Sequence, residues 1–470
     1  MNIKKFVPKK IKKIRAKIKK RIKENKKQLT LKKICNIIEV EIPSDMKKLT
    51  NKKASIITRS RLEIEPNFVL FCKTLNGFDE ETRKKMKENA LCIFSEEPIS
   101  DCNNIVITRN LYNYSKIMIY IRKIFNPYII TVTGSIGKTS TKDIISSVLS
   151  QKYNTLKTQG NQNNEIGLPK TLLNINKKTQ IAVIEMAMDK KGDLNYLTNI
   201  VHPNIAIITN IGMSHIMNFK NQEGIFYSKM EIANSLTSKD TLIVNGDDKY
   251  LKTLKNKQHD YKLLTYGFEE NNDIYCKDYK IEETSSFTCV YKDKEYKFKI
   301  ASPAKHNIGN ALIAIMLGID LGLTKEQIEE GLLNIEMTKN RLELVKTDKY
   351  TIINDTYNAN YDSVMSAISV LNNYKTRKVA ILGDILELGG YSEEIHRKLG
   401  KDITCDLLIS IGKESKYTYE EAVKKGIKAY YFLTKEKFYD KIKQILKPED
   451  TILVKASRGM ELDKLVEKLK

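Results

Sequence analysis

A chain of 470 residues, 41% hydrophobic and 29% charged, is long enough for about three globular domains and too apolar to be disordered or fibrous. Its formal charge of +24 would point to nucleic acid or an anionic membrane if it were evenly spread. It is not: sixteen Lys and Arg crowd into residues 1–33 against the single acid Glu24, so that segment supplies +15 and the rest of the chain only +9.

Within the basic segment Val7, Ile11, Ile14, Ile18 and Ile22 recur at helical spacing, and Pro8 suits a first turn, which predicts an amphipathic basic helix. Two readings of it stay open. It adsorbs to an anionic membrane surface, where each nearby Lys or Arg contributes about 1 kcal/mol, or it packs on the next domain with a solvated lysine face. A single aromatic residue, Phe6, stands among the lysines, so nucleic acid is not the expected partner.

From residue 50 to 125, short apolar runs (68–72, 90–94, 105–108) alternate with charged, helix-like stretches and predict a small α/β domain. Asn126-Pro127 breaks the pattern, and Tyr128 to Thr133 reads as a buried strand. Further strands at 181–186, 205–209 and 241–244 alternate with helical segments, the pattern of a parallel sheet covered on both faces. Helices from His306 to about Leu323 and from Gln327 to Leu333 follow, and strands at 351–354, 378–382, 407–411 and 451–454 predict a C-terminal Rossmann-like unit. The expected fold class is thus α/β in three domains with an N-terminal extension, divided at 1–49, 50–125, 126–336 and 337–470.

The seven cysteines lie apart, with no Cys-x-x-Cys pair and no histidine at metal-ligand spacing, so they read as reduced thiols. No run approaches the roughly 20 apolar residues of a spanning helix, and a soluble cytoplasmic chain is expected.

Chemistry concentrates after the strand at Tyr128 to Thr133. Gly134, Ser135, Gly137, Lys138, Thr139 and Ser140 join that strand to a helix, as a nucleotide phosphate loop requires: glycines let N–H groups face phosphate oxygens, Lys138 reaches the terminal phosphates and Thr139 can ligate Mg²⁺. Val132 stands where the general pattern has its first glycine, so the loop is atypical. Glu185 and His215 follow the ends of later strands, where open α/β sheets bind ligands, Glu185 as a metal ligand or a turn cap, His215 as a functional or a core histidine. By pattern alone Lys229 reads as a solvated helical lysine, Asn310 as a helix-surface residue and Asp355 as a turn former.

The segments TGSIGKTSTK (133–142), NQNNEIGLP (161–169), EMAM (185–188), TNIGMSH (209–215), SKMEI (228–232), NGDD (245–248), HNIGNAL (306–312), NRLE (340–343), DTYNANYDS (355–363), LGDILELG (382–389) and VKASRGM (454–460) resemble, in the same order, those of the Mur ligases. The resemblance covers about residues 54–470. It implies an ATP-dependent ligase that activates a carboxylate as an acyl phosphate, within the family nearest to those joining D-alanyl-D-alanine to a UDP-linked muramoyl tripeptide. It implies ATP and two Mg²⁺ sites, with Thr139 and Glu185 on one ion, His215 on the other, and Lys229 carbamylated by CO₂ as a further metal ligand. Asn307 and Asn310 would lie near the adenine, and Arg341 and Asp355 would approach the nucleotide from the C-terminal domain. Asn358, Asn360 and Ser363 would receive the amine, and Asn163, Asn164 and Glu165 the muramoyl peptide. A monomer is expected.

Ala187 and Ala456 replace family glycines. Tyr361 replaces the proline after Tyr-Asn-Ala-Asn and would reshape the amine pocket, and the N-terminal glycine-rich stretch is reduced to Asn76-Gly-Phe-Asp79. The alternatives are a Mur-like ligase for another carboxylate and amine, or a membrane-surface or RNA-binding protein on a ligase-like scaffold.

Overall fold

The structure is a computed structural model that describes residues 29–59, 63–212, 218–219 and 221–470. The predicted basic helix at 7–22 and His215 lie outside the described residues. Chain contacts define two compact units: residues 1–130, 154–184 and 195–203, and residues 131–153, 185–194 and 204–470.

In the first unit, Thr30 caps the helix Leu31–Ile38 by accepting the Lys33 N–H, and Leu31, Ile34, Cys35 and Ile38 recur on one face, which is buried against the helix Asn110–Phe125. Strands β1 (Ile57–Thr58), β2 (Phe68–Phe71), β3 (Ala90–Ser95) and β4 (Asn104–Val106) pair in that order, all parallel. Being covered on both faces, β2 and β3 are continuous apolar runs with every residue buried. Phe71 and Phe94 stack with ring centroids 4.8 Å apart. Asp79, in the reduced glycine stretch, accepts the Thr82 N–H and so starts the helix Glu80–Asn89.

The next strands are β5 (Tyr128–Thr133), β6 (Thr155–Lys157), β7 (Ile181–Glu185), β8 (Ile205–Ile208), β9 (Thr241–Asn245), β10 (Lys262–Gly267), β11 (Ile274–Lys280), β12 (Ser285–Tyr291) and β13 (Lys294–Ile300). In the second unit β8 to β13 pair consecutively, parallel as far as β11 and antiparallel beyond it. The antiparallel extension departs from the all-parallel sheet expected. Its last hairpin turns on Lys292 and Asp293, both at positive φ (53° and 61°), the two-residue geometry that matches strand twist. The helix Lys138–Ser150 packs on the helices Lys305–Asp320 and Lys325–Leu333, so closely that a Cβ on Gly331 would lie 2.4 Å from the Val148 backbone.

The C-terminal sheet comprises β14 (Glu343–Lys346), β15 (Thr351–Asn354), β16 (Lys378–Gly383), β17 (Leu407–Ile411), β18 (Ala429–Phe432) and β19 (Thr451–Lys455) in the order β14-β15-β19-β16-β17-β18. Only the edge strand β14 is antiparallel. Apolar layers cover both faces, and Asp355 and Lys455 emerge side by side at the strand ends, where the chain order reverses. Ala456 packs against Gly383, which is why a small residue is needed there.

Candidate active site

The phosphate loop is braced from behind. The carbonyl of Asn210 accepts the Ser135 N–H (3.1 Å), its Oδ1 accepts the Ile136 N–H (3.0 Å), and its Nδ2 donates to the Ile136 carbonyl (3.0 Å). Thr209 Oγ1 donates to the same carbonyl, and the Gly212 N–H donates to Ser135 Oγ at 2.8 Å. Asp248 accepts the Ile211 N–H and thereby holds the bracing segment itself. Gly134 sits at φ 151°, and a Cβ there would meet Thr209 Oγ1 at 1.8 Å, so the close approach requires glycine. Gly137, at φ 80°, opens the helix Lys138–Ser150. That helix directs its unpaired first N–H groups and the positive end of its dipole at the loop. Lys138 Nζ bridges the carbonyls of Gly134 (2.7 Å) and Ser135 (3.2 Å).

In front of the loop lies a cavity of about 190 Å³. Three cationic side chains reach it. Besides Lys138, Arg341 stacks on Tyr357 at 4.0 Å and sets Nη2 3.4 Å from Thr139 Oγ1. Its Nε is buried without a hydrogen-bond partner among the described residues. Lys455, 1% exposed, donates to Asp355 Oδ2 (2.6 Å) and to the Asn358 carbonyl (2.8 Å). Burial draws the Lys455 ammonium below the usual lysine range, and the Asp355 carboxylate opposes that shift. On the facing side His306 shares a 2.8 Å hydrogen bond between Nδ1 and Ser366 Oγ, and burial pushes its pKa down to about 4.

Lys229 is 3% exposed on the helix Gln222–Met230, and burial, aided by the charge of Lys138, holds it well below the usual lysine range. At 3% exposure Lys229 is not the solvated helical lysine that pattern alone suggests. Asn310 is likewise buried: its Nδ2 donates to Asn307 Oδ1, and Asn307 Nδ2 donates to Ser302 Oγ. Glu185 ends β7 as a 2%-exposed carboxylate, 3.9 Å from Lys142 Nζ.

Set beside known proteins, residues 132–318 match the Mur ligase middle domain and residues 340–458 the Mur ligase glutamate ligase domain. The UDP-N-acetylmuramoyl-tripeptide--D-alanyl-D-alanine ligase of Bacillus subtilis is 39% identical over 350 residues, covering 73% of this chain and 75% of its own. That of Buchnera aphidicola subsp. Baizongia pistaciae is 34% identical over 435 residues, covering 88% and 92%. The chain belongs to the Mur ligase family. Among solved Mur structures, MurF from Acinetobacter baumannii superposes with a TM-score of 0.85 at 25% identity, covering 94% of this chain and 99% of that one. MurF from Thermotoga maritima in complex with ADP gives 0.77 at 25% identity, covering 87% and 96%.

Of the residues expected at the site, Ser135, Gly137, Lys138, Thr139, Ser140, Asn310, Arg341, Asp355, Asn358, Asn360 and Ser363 line the cavity. Gly134, Asn307, Glu185 and Lys229 do not line it, although Gly134 accepts from Lys138 and Asn307 from Asn310. Asn163, Asn164 and Glu165 belong to the first unit, where Asn164 Oδ1 accepts the N–H groups of Ile166 and Gly167 ahead of the helix Leu168–Leu173. Asn360 and Ser363 form a capping box on the helix Tyr361–Leu371. Tyr361 does not reshape the cavity: its ring packs on the C-terminal core beside Lys398, and its hydroxyl donates to Asp402. Lys455, His306, Asn210 and Ser366 line the cavity without having been singled out in the sequence. Asn210, His306 and Lys455 lie inside the segments TNIGMSH, HNIGNAL and VKASRGM, and Lys455 also ends an apolar strand.

The donor set suits a polyphosphate, as the partnerless Arg341 Nε shows. Among the described residues no three His, Cys, Asp or Glu side chains gather as a metal site. A Mg²⁺ held by phosphates needs only one or two carboxylates and a hydroxyl, groups of the kind that Glu185 and Thr139 carry.

Proposed function

We propose that the chain is an ATP-dependent peptide ligase that adds D-alanyl-D-alanine to a UDP-N-acetylmuramoyl-tripeptide. The observation that carries this reading is the cavity at the phosphate loop, lined by Lys138, Arg341 and Lys455. The names of the Bacillus and Buchnera relatives and the ADP in the Thermotoga structure support the substrates and the nucleotide.

MgATP, when bound, supplies the γ-phosphoryl group that turns the acceptor carboxylate into an acyl phosphate; the amine then forms the N–C bond as the C–O bond to phosphate breaks. The protein contributes placement and charge. Lys138 leaves its two carbonyls for the terminal phosphates, Arg341 offers Nε and Nη2 to phosphate oxygens, and the helix N-terminus adds its N–H groups. Asn307 fixes Asn310 at the base end of the cavity, and Asn358, Asn360 and Ser363 edge the side assigned to the amine.

Glu185 and Thr139 would hold one Mg²⁺ and His215 a second. Lys229, once it has lost its ammonium proton, would add its amine to CO₂, forming an N–C bond and releasing a second proton, so that a buried neutral amine becomes an anionic oxygen ligand. Asn163, Asn164 and Glu165 would meet the muramoyl peptide. We assign domains at 50–125, 126–336 and 337–470 after a basic extension, a monomeric state and a cytoplasmic location, with residues 1–33 adsorbing to an anionic membrane surface. No helix among the described residues is long and apolar enough to cross a membrane. Mass spectrometry of the products tests the reaction: a pentapeptide conjugate that forms only with ATP and both substrates supports it, and unchanged acceptor contradicts it. Flotation with anionic vesicles, with and without residues 1–33, tests the surface, and equal flotation rejects it.

A further inference from the structure

The phosphate-loop helix carries a second contact with the chain that leads into the C-terminal sheet. Lys142 and Asp143 are each 1% exposed, and Lys142 Nζ lies 3.3 Å from Asp143 Oδ1 and 3.9 Å from Glu185 Oε2. The other oxygen, Asp143 Oδ2, accepts both the N–H (3.0 Å) and the hydroxyl (2.8 Å) of Thr338. Thr338 lies between the helix Lys325–Leu333 and β14, three residues before Arg341. Asp143 follows Thr139 by four residues, so both face the same side of the helix. The segment 338–341 is therefore tied to that helix twice, by Thr338 on Asp143 and by Arg341 on Thr139, one turn apart.

We propose that Asp143 is a positioning residue which, by gripping Thr338, sets the Arg341 guanidinium over the phosphate loop. A buried Lys-Asp-Glu group gives a fold less stability than apolar packing of the same volume, so core stability alone is a poor reason for it. A two-point carboxylate grip, in contrast, fixes direction. Lys142 holds the carboxylate from behind and ties it to Glu185. The inference rests on the nucleotide-binding reading of the cavity.

The test is calorimetric binding of magnesium with a non-hydrolysable ATP analogue to the full chain, which needs neither ligase substrate. Thr338→Val removes the donated hydroxyl and keeps the shape, and about tenfold weaker binding is expected, the worth of a hydrogen bond to a charged group. Thr338→Ser restores the donor and should bind within about twofold of the parent. In an Arg341→Ala background Thr338→Val should cost nothing more, because the grip acts through Arg341. In the ligand-free protein, amide exchange of residues 339–342 should quicken in Thr338→Val and Asp143→Asn and not in Thr338→Ser. Unchanged affinity in Thr338→Val, or a loss that multiplies fully with Arg341→Ala, overturns the proposal while leaving nucleotide binding intact. No binding by the parent chain overturns the reading beneath it.

Discussion

Replacing Lys455 by methionine keeps the length of the side chain and deletes its charge. The ammonium is 1% exposed, lies 2.6 Å from Asp355 Oδ2, and also donates to the Asn358 carbonyl. Asp355 is itself only 7% exposed, so the substitution strands a carboxylate where water cannot reach it well. Removing one member of a buried pair typically costs about 3–5 kcal/mol, against a total stability of about 5–15 kcal/mol, so the C-terminal domain should approach its unfolding threshold. Pairing the change with Asp355→Asn removes the stranded charge while an amide oxygen can still accept the Leu342 N–H. The double variant should therefore recover all but about 1–2 kcal/mol, the worth of the donor lost to Asn358. Urea unfolding of parent, single and double variants measures both numbers. Equal losses in single and double variants would refute the argument that an unpaired buried charge is the cost.

Three further outcomes follow from the same geometry. Gly134→Ala puts a Cβ against Thr209 Oγ1 at a positive φ, and should lower nucleotide affinity at least tenfold with the fold retained, as read by calorimetry and circular dichroism. His306, held down to about 4 by burial, and His396, also lowered by burial, bind protons less readily folded than unfolded. Stability should thus be full above pH 6.5 and fall as pH drops toward 4; a flat profile across that window, measured by denaturant titration, contradicts the assignment. Lys229→Met should abolish ligation beyond rescue by bicarbonate and at the same time raise thermal stability, since burial disfavours the ammonium. Full activity in that variant would remove the carbamate role.

What the sequence disclosed divides by the range of the forces involved. The phosphate loop was legible because its strand, its glycines and its helix start are local, and Gly134 and Gly137 occupy positions that only glycine suits. Apolar strands such as β5, β15 and β17 were legible because burial on both faces makes unbroken runs. The hairpin of β12 and β13 was missed, since Lys292 and Asp293 adopt a turn that asparagine and glycine usually mark.

Lysines were the least legible of all. In a chain holding 81 Lys and Arg, nothing local separates Lys142, Lys229 and Lys455, which are buried among charges, from lysines on the surface. Their surroundings are set by tertiary contacts, as with Asp143 and Glu185 beside Lys142 and Asp355 beside Lys455. The motif resemblance assigned a role to Lys229, whereas Lys142 and Lys455 lay within the segments TGSIGKTSTK and VKASRGM without one. Tyr361 follows Tyr-Asn-Ala-Asn in sequence, yet its ring lies against the C-terminal core beside Lys398, a contact that nothing local signals.

In the proposed reaction the three-cation cavity couples ATP to amide formation. Release of inorganic phosphate from ATP, followed with the muramoyl tripeptide and D-alanyl-D-alanine each supplied and omitted, tests it most directly. Release is expected only when both are present, matched one for one by amide product; release that ignores either substrate would rule the coupling out.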